Sequence, residues 1–380
     1  MKESINILYG AINSHVSEHG RAKQIYPRLM KKSDITITWI DPPFIIPNIM
    51  DYINVLINQY QKNKIEIFNG IRGYVSIGMP FSDKSKILTH ITEKMLAGYL
   101  KKLNIDFNIL VISNPIFLDY VKQVKKRRIP IVYDCRDLFS GWRHNGKFEI
   151  KREKELLSLC DQIIVPSTSL KKEILGINSM CSVTVIPNGV PKSMITNKIR
   201  NSSSRPKIGY VGHMGYYVNL DLIIEIAKEK TTWDFIFVGD TTPIEKIVEV
   251  APKNCRFLGE VSFTKLNSIL KMFDVGIIPF KQLKVTDVVL PIKLFEYFAK
   301  GIPIVSTPLK ELKNLKENHL IHFANSKQEW INQIENALKD KRHDEFTEFA
   351  KKYTWENITE DYVRCFKKLM TNSFDDKKID

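Results

Sequence analysis

The feature that most constrains the fold is a rhythm that runs through the chain twice. Short β-branched and apolar runs alternate with stretches of helical periodicity. In the first half the runs are INILYG (5–10), ITITWID (35–41), GYVSIG (73–78), FNILVIS (107–113), IPIVYD (129–134) and QIIVPS (162–167). Helical patterns fall between them at 20–31, 84–103, 115–128 and 150–160. Strand–helix alternation of this kind predicts a parallel sheet covered by helices on both faces. After VTVIPNGV (183–190), the segment PKSMITNKIRNSSSRPK is polar and Pro-flanked, and it reads as a linker. The rhythm then restarts with KIGYVGHMG (207–215), WDFIFVGD (233–240), CRFLGEV (255–261), VGIIPF (275–280) and IPIVST (302–307). With 380 residues the chain exceeds one ordinary core. The expected architecture is α/β, with two Rossmann-like doubly wound domains. We place the first at 1–190, a linker at 191–206, the second at 207–352 and a terminal helical segment at 353–380.

Sheets of this kind bind ligands outside the carboxyl ends of their strands, so residues there carry the chemistry. Two such sheets facing one another would enclose a cleft. In the second domain, GYVGHMG sets Gly212, His213, Met214 and Gly215 between a strand and a helix. Small residues at that point let backbone amides approach a phosphate. FLGEV ends another strand with Gly259, Glu260 and Val261, where backbone groups can read a base edge. The stretch VVLPIKLFEYFAKGIPIVST (288–307) then gives a helix opened by Pro291 and closed by Gly301, followed at once by a strand. Lys293 and Glu296 stand three residues apart on one face of it. They form either an ordinary ion pair or a ligand clamp at a helix start that already favours anions. As a clamp, Lys293 neutralises a diphosphate and Glu296 accepts hydrogen bonds from a ribose diol.

The stretch PIKLFEYFAKGIPIVST resembles the P-x-K-x-x-E-Y-x-A-x-G-x-P-V-V signature of GT-B-fold glycosyltransferases, most closely the bacterial teichuronic acid and xanthan glucuronosyltransferase type. IGYVGHMGYYVNLDLIIEIA, WDFIFVGD, NCRFLGEVSFTKLNSIL and FDVGIIPFK fall in the order of that family's nucleotide-sugar domain. YTWENITEDY is similar to its terminal helix. VYDCRDLFSGW and EHGRAKQIYPRLMKKSDITITWIDPP resemble first-domain segments. The resemblance implies a terminal helix that crosses back to the first domain and a sugar donor held mainly by the second. It implies Lys293 on the diphosphate, Glu296 on the ribose, the 212–215 loop facing the phosphates, and backbone near Glu260 and Val261 at the base. The chain departs from the pattern at one point. Many retaining members carry a second carboxylate eight residues before the ribose glutamate, where this chain has Val288 beside Asp287. Retention and inversion both stay open.

An inverting transfer needs a base for the acceptor hydroxyl. The loop after IPIVYD offers Asp134 and Asp137. Matching to the family loop favours Asp137, with Asp134 as second candidate or turn residue; N-capping is the plain alternative for both. His15, His19 and Arg21 follow the first strand and are candidate acceptor contacts. DCRD is not the DxD with which metal-dependent transferases of the other fold class hold a nucleotide, and no metal ligand cluster is visible, so a metal-independent reaction without cofactor is expected.

The net charge is +15, and residues 1–190 hold 27 basic against 17 acidic residues. That balance, with KKRR at 125–128, suits an anionic membrane surface, although KKRR also suits a helix C-terminus. The aromatic–basic interleaving of nucleic-acid binders is absent, so no nucleic-acid partner is expected. Five scattered cysteines without CxxC point to a reducing compartment, and no apolar run is long enough to span a bilayer. The reading is a cytoplasmic, peripherally membrane-bound glycosyltransferase. It would use a nucleotide-sugar, UDP favoured, and a saccharide or lipid-linked acceptor in surface polysaccharide biosynthesis (capsule or lipopolysaccharide). A GT-B-fold sugar-nucleotide 2-epimerase and a non-catalytic sugar-nucleotide-binding scaffold are the alternatives. Oligomeric state is not encoded in any motif.

Overall fold

The structure, a computed structural model, describes residues 4–12, 20–45, 64–68, 71–79, 85–141, 147–196 and 205–375. The chain forms two compact units, Met1–Ile186 with Ile358–Asp380, and Pro187–Asn357. These divisions differ from the expected 190 and 353 for a local reason. Val190 donates its N–H to Tyr353 O (2.9 Å) and accepts from Trp355 N (3.0 Å), so both crossing segments belong to the second unit. The described part of the expected linker is likewise fastened there. Thr196 N reaches Ala299 O at 3.0 Å, and Lys300 Nζ donates to Met194 O and to Thr196 Oγ1.

Among its described residues the first unit holds ten strands: β1 (Ile5–Gly10), β2 (Ile35–Ile40), β3 (Phe44–Ile45), β4 (Lys64–Phe68), β5 (Ile71–Tyr74), β6 (Ile77–Gly78), β7 (Ile109–Ile112), β8 (Ile131–Asp134), β9 (Gln162–Val165) and β10 (Val183–Val185). Eight of them make one sheet in the order β10-β9-β8-β7-β1-β2-β5-β4, parallel except for β4 against β5; β3 and β6 pair separately. Central strands such as β7 and β8 are buried along their whole length, as a two-sided parallel sheet requires. Tyr9, Tyr26 and Trp39 pack ring on ring beside the strand ends, with centroids 3.9–6.0 Å apart. The helix Trp355–Asp375 begins in the second unit and continues, from Ile358, in the first.

The second unit is a six-stranded parallel sheet of β11 (Lys207–Val211), β12 (Asp234–Val238), β13 (Cys255–Phe257), β14 (Val275–Ile278), β15 (Ile304–Ser306) and β16 (Ile321–Phe323). Its order, β13-β12-β11-β14-β15-β16, reverses direction between β11 and β14. That switch point is where a doubly wound sheet opens a ligand crevice at its carboxyl edge. The helix Ile292–Phe298 lies between β14 and β15 in the chain. Its Leu294, Phe295, Tyr297 and Phe298 are buried. Phe298 stacks on Phe346 (4.8 Å, 5°) and Phe295 on Phe349 (5.9 Å), so the helix is held from behind by His343–Lys352. Burial of that face leaves Lys293 and Glu296 on the other.

Several elements lie outside the sequence reading: β3, β4 and β16, and the helices Thr168–Ile177, Lys310–Asn314, Lys327–Leu338 and His343–Lys352. GYVSIG is two short strands, β5 and β6, not one.

Candidate active site

Three neighbouring strands of the second unit end in glycines that no other residue could replace without strain. After β11 comes Gly212 (φ +129°), after β12 Gly239 (φ +142°) and after β13 Gly259 (φ +65°). All three occupy backbone regions that favour glycine. Hydrogen bonds lace them together: Gly212 N donates to Val238 O at 2.8 Å, and Gly239 N to Gly259 O at 2.9 Å. A β-carbon on Gly239 would sit 2.2 Å from Gly212 O, so the two loops touch backbone to backbone. The sequence carries this as V-G-H, V-G-D and L-G-E at successive strand ends. Gly239 is the member that motif reading passed over, because a single glycine after a strand looks like any turn.

Lys293 closes this rim from the other side. A β-carbon on Gly212 would lie 2.6 Å from Lys293 Nζ and 2.9 Å from its Cε. The ammonium stands over the rings of Tyr210 (5.2 Å) and Phe280 (5.1 Å). It makes no ion pair with Glu296, nor with any other carboxylate among the described residues. The ordinary ion-pair reading of these two residues therefore fails. Loss of water around the half-buried side chain lowers the Lys293 pKa to about 8, although Glu296 raises it. Glu296 is also half-buried, and desolvation raises its pKa against the pull of Lys293. Among the described residues neither Lys293 nor Glu296 has a hydrogen-bond or ion-pair partner, both are partly stripped of water, and Lys293 borders the glycine rim. The helix that carries them has only seven residues, so its dipole adds little and Lys293 itself supplies the charge.

The other expected donor residues are placed around the same loop. Tyr210 Oη donates to His213 O at 2.9 Å, and Tyr217 Oη reaches the same oxygen at 3.4 Å. His213 is exposed, Met214 is buried, and a β-carbon on Gly215 would lie 3.0 Å from Tyr217 and 3.1 Å from the His213 ring. Tyr297 Oη accepts from Val211 N at 3.0 Å and fixes the end of β11. Glu260 is exposed and Val261 half-buried just beyond Gly259. Val288 is only 2% exposed and belongs to the core, and Asp287 accepts from Lys310 N at 3.3 Å. Neither supplies a second carboxylate beside Glu296.

In the first unit the two aspartates after β8 differ sharply. Asp134 is 1% exposed; its Oδ1 accepts from Tyr362 Oη at 2.8 Å and lies 3.8 Å from Arg21 Nε. Arg21, 3% exposed, donates to Tyr362 Oη (3.0 Å) and to Ile186 O (2.7 Å). These three residues clamp the terminal helix to the sheet of this unit. The expectation that Arg21 contacts acceptor, and that Asp134 is catalytic, gives way to this structural part, since burial removes both from a substrate. Among the described residues neither aspartate caps a helix. Asp137 is half-buried, its carboxylate accepts no hydrogen bond among the described residues, and desolvation raises its pKa while Arg136 opposes this. The loop around it is pinned. Arg136 donates to Tyr9 Oη at 2.6 Å, Tyr9 meets Ser113 Oγ at 3.0 Å, and Phe139 N donates to Glu153 at 3.1 Å. His15 and His19 lie outside the described residues. In KKRR, Lys125 pairs with Asp161 (2.5 Å) and Arg127 stacks on Phe107 (5.1 Å), the plain helix-end reading for those two.

Among the described residues, one group with metal-ligand chemistry occurs, His90, Glu93 and Asp119. Arg152 already pairs with Glu93 and Lys122 with Asp119, so its charge is balanced. No described helix is long and apolar enough to cross a membrane.

Comparison with known proteins bears on these arrangements. Residues 205–340 match the family model for glycosyl transferases group 1, and residues 59–193 match glycosyltransferase family 4. TuaH of Bacillus subtilis (strain 168), which carries the name of a teichuronic acid biosynthesis glycosyltransferase, is 25% identical over 217 residues. That match takes in 51% of this chain and 54% of TuaH, about half of each. Sucrose-phosphate synthase from Thermosynechococcus elongatus superposes with a TM-score of 0.75 at 14% identity, over 97% of this chain and 100% of that one. A trehalose-6-phosphate structure from E. coli, bound with UDP-2-fluoro glucose, gives 0.69 at 13% identity, over 95% and 99%. With glycosyltransferase domains matched in both halves and a two-sheet fold shared along its length, the chain belongs to the GT-B glycosyltransferases.

Proposed function

We propose that the protein moves a sugar from a nucleoside-diphosphate donor, a UDP-sugar, to a saccharide or lipid-linked acceptor in bacterial surface polysaccharide (capsule or lipopolysaccharide) biosynthesis. It works peripherally at the cytoplasmic face of the membrane. The observation that carries the donor reading is the Lys293 ammonium: half-buried, without an anionic partner among the described residues, and pressed against Gly212 in the glycine rim. An unpaired desolvated cation is costly unless an anion completes it. A diphosphate fits, because it meets the charge and also accepts from the amides of His213, Met214 and Gly215, the Gly212 and Gly239 amides being already bonded to carbonyls. Glu296, one turn along, takes the ribose hydroxyls, and the backbone near Glu260 and Val261 takes the base.

Sugar transfer needs the diphosphate to leave with its charge stabilised. Lys293 does this, and a charge-assisted bond of that type is worth about 1.5–3 kcal/mol. In an inverting transfer Asp137 receives the acceptor proton. Desolvation that raises its pKa makes it a better base than an exposed aspartate. An unpaired, desolvated Asp137 favours an enzyme over a binding scaffold. No step calls for a metal, and Lys293 does the work a bridging cation would do. The test is calorimetric titration of UDP with and without EDTA, on wild type and on Lys293→Ala. Binding that survives chelation and weakens ten- to a hundredfold in the variant supports the reading. Binding that disappears on chelation overturns it.

A further inference from the structure

The outward face of the helix Lys86–Leu103 is wrong for a helix that only covers a sheet. Its inner face buries Thr92, Glu93, Leu96, Ala97 and Leu100 in the first unit. The solvent face should then be polar. Instead Ile87, Ile91 and Met95 stand on it at 74%, 38% and 37% exposure. They follow at i, i+4 and i+8, which makes one stripe. Lys94, Lys101 and Lys102 lie on the same face, and Lys86 opens the helix; all four are exposed. None of them makes an ion pair among the described residues. The helix has one acidic residue, Glu93, and it is buried against Arg152. The result is an apolar stripe set in positive charge, along a helix of 18 residues and about 27 Å whose own exposed residues include no carboxylate; Asp119, 17% exposed, stands beside its His90.

We infer that this face docks the first unit on an anionic lipid surface, with Ile87, Ile91 and Met95 entering the headgroup boundary and the four lysines reaching phosphate. This deepens the reading of a membrane-peripheral transferase by naming the surface, and it rests on that reading for its purpose only. Charge complementarity selects the occupant. Protein interfaces are poor in lysine and rich in aromatic and arginine anchors, and this face has the opposite composition. A second copy of the chain would press lysines against lysines. A lipid surface suits both components, since lysine stems lie along apolar surface while their heads stay in water.

The test is sedimentation with phosphatidylcholine vesicles, with and without phosphatidylglycerol, at low and high salt. Wild type should partition to the anionic vesicles only, and less as salt rises, because exposed charge is screened. Lys94→Glu with Lys101→Glu and Lys102→Glu should weaken partition about a hundredfold or more. Ile87→Gln with Ile91→Gln and Met95→Gln should abolish the binding that persists at high salt. Met180→Gln with Val250→Gln, exposed apolar sites elsewhere, should change nothing. UDP titration of every variant reports folding and donor binding independently of lipid. The proposal is overturned if wild type ignores anionic vesicles or binds neutral ones equally. It is also overturned if the apolar variant binds as wild type does, or if the control variant loses binding as the others do. Loss of UDP binding in wild type would sink the donor reading and leave this one standing.

Discussion

Replacing Gly212 with alanine tests whether the glycine rim and Lys293 act as one device. The new methyl would lie 2.6 Å from Lys293 Nζ and 2.9 Å from its Cε, closer than such atoms approach, and the end of a lysine is the part free to move. The ammonium would be pushed off its seat over Tyr210 and Phe280. Donor affinity should fall by what Lys293→Ala costs, about 1.5–3 kcal/mol, or ten- to a hundredfold. Separately, φ of +129° at a non-glycine residue should cost about 1–3 kcal/mol of stability. With Lys293 truncated, the nearest remaining atom is Tyr210 Oη at 3.8 Å, an ordinary contact. In a Lys293→Ala background, Gly212→Ala should therefore lower the melting temperature but change UDP affinity little. The cycle of four proteins, titrated by calorimetry at one pH, should give a coupling in binding of about 1.5–3 kcal/mol. If Gly212→Ala weakens UDP by the same factor in both backgrounds, the glycine does not act through Lys293 and the reasoning fails.

Three further outcomes are expected. A Lys293 pKa near 8 in the free protein means that binding a diphosphate draws in a proton at higher pH. UDP affinity should be level below pH 8 and fall by up to about tenfold per unit above it, a slope that Lys293→Ala abolishes. The unliganded protein should show the opposite trend from this residue, since the unfolded chain holds the extra proton between about 8 and the ordinary 10.5 and stability rises across that window. Tyr362→Phe should cost about 1–3 kcal/mol by thermal denaturation, because Asp134 loses its buried donor, while UDP affinity stays unchanged. Asp137→Asn should lower turnover about 10²–10⁴-fold with donor affinity intact, and Asp134→Asn should act on stability; transfer kept by the first and lost by the second would reverse these assignments.

The alternation of strands and helices made the α/β class and most strand positions legible, because a strand buried on both faces must be apolar throughout and its helical neighbours cannot be. β4 and β16 were hard to see for the opposite reason: KIEIF carries two charges on an edge strand, and IHF is three residues long. Lys293 and Glu296 were legible as a pair because their spacing fixes them on one face. Whether they bond to each other was not, since the ammonium stands over rings contributed by Phe280 and by Tyr210, the latter 83 residues back in the chain. Arg21 and Asp134 misled for a similar reason. A charged residue after a strand looks available until a partner 228 residues on, Tyr362, proves to bury it. The glycine rim was half-read, because its three members sit on separate strands and only parallel pairing brings them together.

The central claim is that a nucleotide diphosphate binds at Lys293 and gives up its sugar. The most direct measurement is isothermal titration of the intact protein with UDP, GDP, dTDP and CMP in EDTA at pH 7, repeated with Lys293→Ala and Glu296→Ala. The account predicts that UDP binds best, that chelation does not matter, and that each variant weakens it ten- to a hundredfold while melting no lower than wild type. Wild-type affinity for UDP in both variants would contradict it.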